Sequence, residues 1–296
     1  MNAKEELLRR ILVPINGSFS SLMAQEITVI IAKKTNATIT VLHFIEELRL
    51  GQSHHDVMGE LVGHLEQEAK KILNDTCALF SEEGLNVDTK ILRGCDPADT
   101  ILELSDNYDL IIIGAHGEKE KDPYMLGSVT KKVIQHAMCP VLITKKVTSL
   151  SNLLICVDGS KNSIRAFKWA AKLAEKFGSN ITLLNVQGSH IYDFSPTVAK
   201  DLGELALSGA LNAIRENALK VNKKLEFGIP SDKIVEVAEK GNYDLIVLGS
   251  RGLGTVERLL FGSVNNNVSQ GSLLGSVSDD VSHKAKCSVL IVPAKS

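Results

Sequence analysis

Asn107-Tyr-Asp-Leu-Ile-Ile-Ile-Gly114 is answered farther down the chain by Asn242-Tyr-Asp-Leu-Ile-Val-Leu-Gly249. Both runs are apolar at consecutive positions. A strand of that kind is buried on both faces, as in a parallel sheet covered by helices on either side. A strand that occurs twice raises the question of whether its surroundings occur twice. They do. Ile11-Leu-Val-Pro-Ile-Asn-Gly-Ser18 recurs as Leu153-Leu-Ile-Cys-Val-Asp-Gly-Ser160, and Cys139-Pro-Val-Leu-Ile143 recurs as Cys287-Ser-Val-Leu-Ile291. The separation differs from one pair to the next, so segments were gained or lost inside one duplicated unit. The expected domains are 1–147 and 148–296, joined by a short polar stretch at 148–152.

Each unit reads alike. A buried strand (11–15; 153–157) ends in Asn-Gly-Ser or Asp-Gly-Ser and leads into a helix (20–35; 162–177). A second strand (38–44; 180–186), a variable loop and a longer helix (57–83; 197–219) follow. A third strand (87–92; 221–227) precedes Asp96-Pro97 or Pro230-Ser231, where proline and polar caps open a short helix (98–105; 232–240). The repeated Tyr-Asp-Leu-Ile run is strand four, and 140–144 or 288–292 is strand five. Strands alternating with helices predict parallel, right-handed βαβ units. The fold class is therefore α/β, two tandem doubly wound domains, each a five-stranded parallel sheet in a Rossmann-like or flavodoxin-like three-layer arrangement.

Composition limits the partners. The 296 residues are 44% hydrophobic and 23% charged, which suits two soluble globular domains. A net charge of −2, with no basic block, provides no broad field for nucleic acid or a membrane surface. Apolar runs fall far short of the roughly 20 residues a membrane span requires. The charged start at 1–10 lacks the apolar core of a signal peptide, so the cytoplasm is expected. Cys77, Cys95, Cys139, Cys156 and Cys287 are scattered without a Cys-x-x-Cys pair, which argues against a disulfide framework or zinc site. Cys139 and Cys287, each before an apolar strand, read as small buried hydrophobes. His116, His136 and His283 have no second histidine at ligand spacing, and His54-His55 reads as a solvated pair.

The chemistry lies after strand four. Gly114-Ala-His-Gly117 is followed after nine residues by Gly127-Ser128-Val129; Gly249-Ser-Arg-Gly252 is followed after nine by Gly262-Ser263-Val264. Ligands of open α/β sheets bind beyond the carboxyl ends of strands at the topological switch point. Glycines there admit close approach of backbone to a phosphate, and a Gly-Ser opening a helix presents free N–H groups to an anion. No Gly-x4-Gly-Lys-Ser/Thr is present, so the loop is not a Walker P-loop.

This Gly-x2-Gly-x9-Gly-Ser pattern, with Asp-Gly-Ser after strand one and a Pro-Val-Leu final strand, resembles the universal stress protein family across nearly the whole chain, twice over. The resemblance implies adenine nucleotide binding (ATP or AMP, with Mg2+ as a candidate companion). It also implies a stress-response regulatory role and pairing of domains through the last strand. Here that pairing would form an intrachain pseudo-dimer, open to further homodimerisation. By position it implies Asp158, Val186, Gly249, Gly252, Gly262, Ser263 and Val264 in the second half. In the first half it implies Pro14, Asn16, Phe44, Gly114, Gly117, Gly127, Ser128 and Val129.

The sequence departs from the pattern at three places. Asn16 stands where the family carries aspartate, and it retains hydrogen bonding without the charge. The segment 118–126 is charged and contains Pro123; it reads as a solvated loop, or as carboxylates that repel phosphates or help hold a divalent cation. The second half carries an additional 13 residues at 262–274. Gly127 stands twelve positions before Cys139, and Gly275 twelve before Cys287. Gly262-Ser263 keeps the upstream spacing and is favoured, whereas Gly275-Ser276 keeps the downstream spacing and is the alternative. Two other functional readings stay open: slow ATP hydrolysis on the same fold, and a structural or chaperone-like tandem with decayed sites.

Overall fold

The computed structural model describes residues 8–45, 55–94, 96–117, 125–214, 219–252 and 274–294. The first half runs β1 (Arg10–Ile15), α1 (Phe19–Thr35), β2 (Thr38–Ile45), α2 (His55–Glu82), β3 (Val87–Arg93), α3 (Pro97–Leu104), β4 (Leu110–Gly114), α4 (Ser128–His136) and β5 (Val141–Thr144). The second runs β6 (Asn152–Cys156), α5 (Lys161–Phe177), β7 (Asn180–Gly188), α6 (Ser189–Phe194), α7 (Pro196–Asn212), β8 (Val221–Gly228), α8 (Pro230–Lys240), β9 (Leu245–Gly249), α9 (Ser276–Lys284) and β10 (Ser288–Val292). The short helix α6 was not expected; it fills the variable loop after β7.

These ten strands form one sheet in the order β3-β2-β1-β4-β5-β10-β9-β6-β7-β8. Within each half all pairings are parallel, whereas β5 and β10 meet antiparallel, with Leu142 opposite Leu290. The halves are therefore joined edge to edge through their last strands. In each half the chain runs outward from the first strand, then crosses back to its other side. The switch point lies between β1 and β4, and between β6 and β9.

Alternate strand residues feed two apolar clusters, one on each face. Ile11, Val13, Leu153 and Ile155 belong to one, and Leu12, Ile111, Leu154 and Ile246 to the other. Both clusters cross from one half to the other, so the seam lies inside a continuous core. The repeated aspartate of strand four has a structural role at the opposite end of the sheet. Asp109 Oδ2 accepts from the main-chain N–H of Arg9 (2.8 Å) and Arg10 (2.9 Å), and Asp244 Oδ2 accepts from Ser151 (2.7 Å) and Asn152 (3.0 Å). One carboxylate thus ties the start of the first strand to the start of the fourth.

Cys139, Cys156 and Cys287 are buried, as small hydrophobes are, and Cys77 is partly exposed. Burial pushes the Cys139 thiol up to about 12 and the Cys287 thiol up to about 11. Cys95 and His54 lie outside the described residues. No helix among the described residues is long and apolar enough to cross a membrane.

Candidate functional site

β1 and β4 are paired only at Ile11 with Leu110 and Leu12 with Ile111, so their carboxyl ends diverge. Pro14 lies past the last of those pairs while still in register with Leu42 of β2. A proline is tolerated in this inner strand because the position lies outside the β1–β4 ladder.

The turn after β1 is built from side chain to main chain. Asn16 Oδ1 accepts from the Ser18 N–H at 3.1 Å, and Gly17 takes φ +80°, in the left-handed region that glycine favours. Ser18 then caps α1 by accepting from Ser21 N–H at 3.2 Å. The second half repeats this construction. Asp158 Oδ1 accepts from Ser160 N–H at 2.9 Å, Gly159 has φ +88°, and Ser160 accepts from Ser163 N–H at 3.1 Å. Amide and carboxylate are therefore equivalent in holding the turn.

The glycine ending strand four has a packing reason. A Cβ on Gly114 would stand 2.8 Å from the Ser20 carbonyl carbon, and one on Gly249 would stand 3.0 Å from that of Asn162. These glycines admit the first turn of α1 and α5 against the strand end. Gly252 has its own constraint, since a side chain there would meet the Asp158 carboxylate.

The helix after strand four opens the same way in both halves. Gly127 N–H donates to Ala115 O at 2.9 Å and Thr130 Oγ1 donates to Gly114 O at 2.8 Å. Gly275 N–H donates to Ser250 O at 2.6 Å and Ser278 Oγ donates to Gly249 O at 2.8 Å. Gly127 and Gly275 are the N-cap residues of α4 and α9, and neither helix start has a side-chain cap. Uncapped first-turn N–H groups favour an anion. In the described residues the helix of the second half thus begins at Ser276, in the downstream register. Gly262, Ser263 and Val264, the pair favoured from the upstream spacing and its neighbour, lie outside the described residues, as do residues 118–124 of the charged segment.

A cleft of about 510 Å³ opens at the carboxyl end of the first-half sheet. Pro14, Asn16, Phe44, Gly114, Gly117, Gly127, Ser128 and Val129 all line it. In the second half, Asp158 and Gly252 lie together, Gly249 ends β9, and Val186 sits half-buried in β7 beside Glu226 of β8.

The sequence reading missed several contributors. Leu65, Glu68 and Ile72 of α2 also line the first cleft; they belong to a long helix whose pattern shows amphipathicity but not its target. His43 lines it from β2 and is 7% exposed. Burial lowers the His43 pKa, with the Ile15 backbone and Glu68 acting the other way. His116, expected as a loop histidine, also lines the cleft, with Nδ1 2.7 Å from Ser20 Oγ. His136 and His283 approach their own helix backbones, at Lys132 O and Asp279 O. Among the described residues no cluster of histidine, cysteine and carboxylate side chains is arranged to hold a metal.

Comparison with known proteins agrees with this construction. The Universal stress protein family model matches residues 8–145 and 150–272, the second match ending before α9 and β10. A universal stress protein of Methanocaldococcus jannaschii is 31% identical over 145 residues, 48% of this chain and 85% of its own. One from Mycolicibacterium smegmatis is 26% identical over 280 residues, 88% of this chain and 94% of its own. The crystal structure of a universal stress protein from Archaeoglobus fulgidus superposes with a TM-score of 0.70 at 23% identity, covering 99% of this chain and 100% of the other. With the family model matched in both halves and the fold shared along the whole length, this chain belongs to the universal stress protein family, as a tandem two-domain member.

Proposed function

We propose that the chain is an adenine-nucleotide-binding regulatory protein of the stress response, taking ATP or AMP at the carboxyl edge of each half-sheet. One observation carries this reading. The eight first-half residues expected at a nucleotide line a single cleft of about 510 Å³, into which the uncapped start of α4 opens. That volume lies in the roughly 300–1,000 Å³ range of small-molecule clefts. Pro14 and Phe44 supply apolar walls for a base, and the α4 start supplies N–H groups for phosphate. In the second half Gly275 and Ser276 hold the position that Gly127 and Ser128 hold in the first, which supports them over Gly262 and Ser263 as the phosphate-facing pair. Occupancy would act by favouring one arrangement of the surrounding loops over another.

Titration calorimetry with ATP in the presence of magnesium tests the reading, together with mass spectrometry of small molecules released from the purified chain. Saturable heat and a co-purifying nucleotide are expected, with stoichiometry reporting how many halves are occupied. Absence of heat and of thermal stabilisation at millimolar ATP would sink it.

Slow hydrolysis is a second reading, favoured by the Ser20–His116 contact, which holds an imidazole beside the glycine turns. Phosphate release that disappears in His116→Ala, with binding retained, would support it.

A further inference from the structure

A row of cations lines the outward face of α5. Lys161, Arg165, Lys168, Lys172 and Lys176 recur at spacings of four, three, four and four residues. At about 100° per residue they fall within an arc of about 80°, and they run about 22 Å along the helix. Lys161, Lys168 and Lys176 are exposed, and Arg165 and Lys172 are partly so. The opposite face, with Ala166, Phe167, Ala170 and Leu173, is buried in the core. None of the five cations has an ion-pair partner among the described residues. Lysines of other helices do: Lys132 reaches Asp99, Lys240 reaches Glu236 and Lys284 reaches Asp232. The fold does not require such a row. α1 holds the same place in the first half and starts from the same serine cap, yet its matching residues are Phe19, Met23, Glu26, Ile30 and Lys34. Like charges at this spacing destabilise a helix. Lys161 is the first residue of α5, where the macrodipole favours an acid, and the first turn contains none. Burial lowers the Arg165 pKa, unopposed by any carboxylate of the described residues. No basic block is legible in the sequence because apolar residues separate the cations, and a net charge of −2 conceals a local row.

We propose that this face of α5 binds the sugar–phosphate backbone of double-stranded DNA without reading its sequence. The inference does not depend on the nucleotide reading above. A duplex carries one negative charge per about 1.7 Å of its axis, so a row of about 22 Å meets a dense line of phosphates. Each cation that neutralises a phosphate releases condensed counterions, and that release drives association. Charge is all the row supplies. Single strands are held by bases stacked on aromatic side chains, but the aromatics of α5, Phe167, Trp169 and Phe177, are packed in or against the core. Duplex RNA is also contacted at its 2′-hydroxyls, for which the row has no hydroxyl or amide group. A helix that lies on a membrane turns its apolar side chains outward, whereas those of α5 turn inward. Contacts confined to phosphates position a protein on a duplex and carry no sequence information.

The test is fluorescence anisotropy of a labelled DNA duplex of about two helical turns, titrated with the full-length chain across a salt series. Five phosphate contacts predict that log K falls against log salt with a slope of about −4.5, and scrambling the base sequence should leave the affinity unchanged. Lys168→Gln combined with Lys172→Gln should bring the slope to about −2.7. That variant should melt no lower than the parent, since it relieves like-charge repulsion. Lys168→Arg combined with Lys172→Arg should keep the original slope. Lys70→Gln combined with Lys71→Gln, at exposed positions of α2, should keep it too. No binding at low salt would overturn the proposal, as would an equal loss from the α2 and α5 glutamine pairs. Tighter binding to duplex RNA, to phosphatidylserine vesicles or to polyglutamate would assign the row to a different polyanion and would also overturn it.

Discussion

The two halves build the same cradle and cover it differently. The cradle is made of contacts to backbone: Asn16 or Asp158 in the turn, Ser18 or Ser160 at the cap, Gly127 or Gly275 at the second helix start. The covering helix is set by side-chain volume. Ala69, Leu73, Thr76 and Phe80 of α2 are buried at the spacing of Ala199, Gly203, Ala206 and Ala210 of α7. Where α2 inserts leucine and phenylalanine, α7 offers glycine and alanine and lies close to the sheet; a side chain on Gly203 would meet Leu225 and Asn185. By the same spacing Glu68 and Ile72, which line the first cleft, correspond to Val198 and Leu202, which face solvent at 46% and 43% exposure. The contacts to main chain persisted through duplication, and the volume over them diverged.

The comparison can be broken most forcefully at Phe80. Phe80→Ala should cost about 3–5 kcal/mol, because the ring is fully buried and its removal leaves a cavity. Ala210→Phe should cost less, about 1–3 kcal/mol, by overpacking. Urea denaturation measures both, and equal losses would show that the two helices are not packed differently. Next come the glycines of strand four. Gly114→Ala and Gly249→Ala should each cost about 1–3 kcal/mol, with Gly114 the more severe because its Cβ lies closer to backbone. Thermal melting with nucleotide absent separates this packing role from any ligand role.

A smaller effect sits at the junction. Lys145 follows β5, and its ammonium donates to His283 O at 2.9 Å and Ala285 O at 2.7 Å, at the carboxyl end of α9. The second half has Pro293 at the matching place. Burial lowers the Lys145 pKa from 10.5 to about 8, with Cys287 acting in the opposite direction. Between about 8 and 10.5 the unfolded chain holds a proton that the folded chain has lost, so stability rises with pH across that window. The rise should be on the order of 2 kcal/mol and should vanish in Lys145→Met, read from urea midpoints at pH 7.5 and 10. The mildest expectation is at the turn. Asn16→Asp should tighten ATP in the first half by no more than about tenfold, through one charge-assisted hydrogen bond. An unchanged Kd by calorimetry would mean that the amide and carboxylate serve only their own loop.

Much of this was legible before any coordinates. Repetition of a doubly apolar strand implied a parallel sheet, and 288–292 proved to be β10 residue for residue. Alternation of strand and helix placed Gly114, Gly127 and Asn16 at one edge, where they line one cleft. Other features have no local signature. The Asp109 carboxylate acts on Arg9 and Arg10, a hundred positions away, and spacing within a motif carries no trace of that. The packing role of Gly114 has no local sign either, because its clash partner, Ser20, is distant in sequence. The register of the second helix start was ambiguous because two Gly-Ser-Val runs each satisfied one flank. The buried seam with β5 ties the downstream flank to a fixed strand.

The antiparallel meeting of β5 and β10 has an evolutionary corollary. In a symmetric pair of separate chains, every inherited change appears on both sides of the axis at once, and a residue useful in one pocket must be endured in the other. Continuous chain across the seam removes that coupling. His43 with Ile45 could then be fixed on one side and Asn185 with Gln187 on the other, so that the two sheet edges differ in their polar groups.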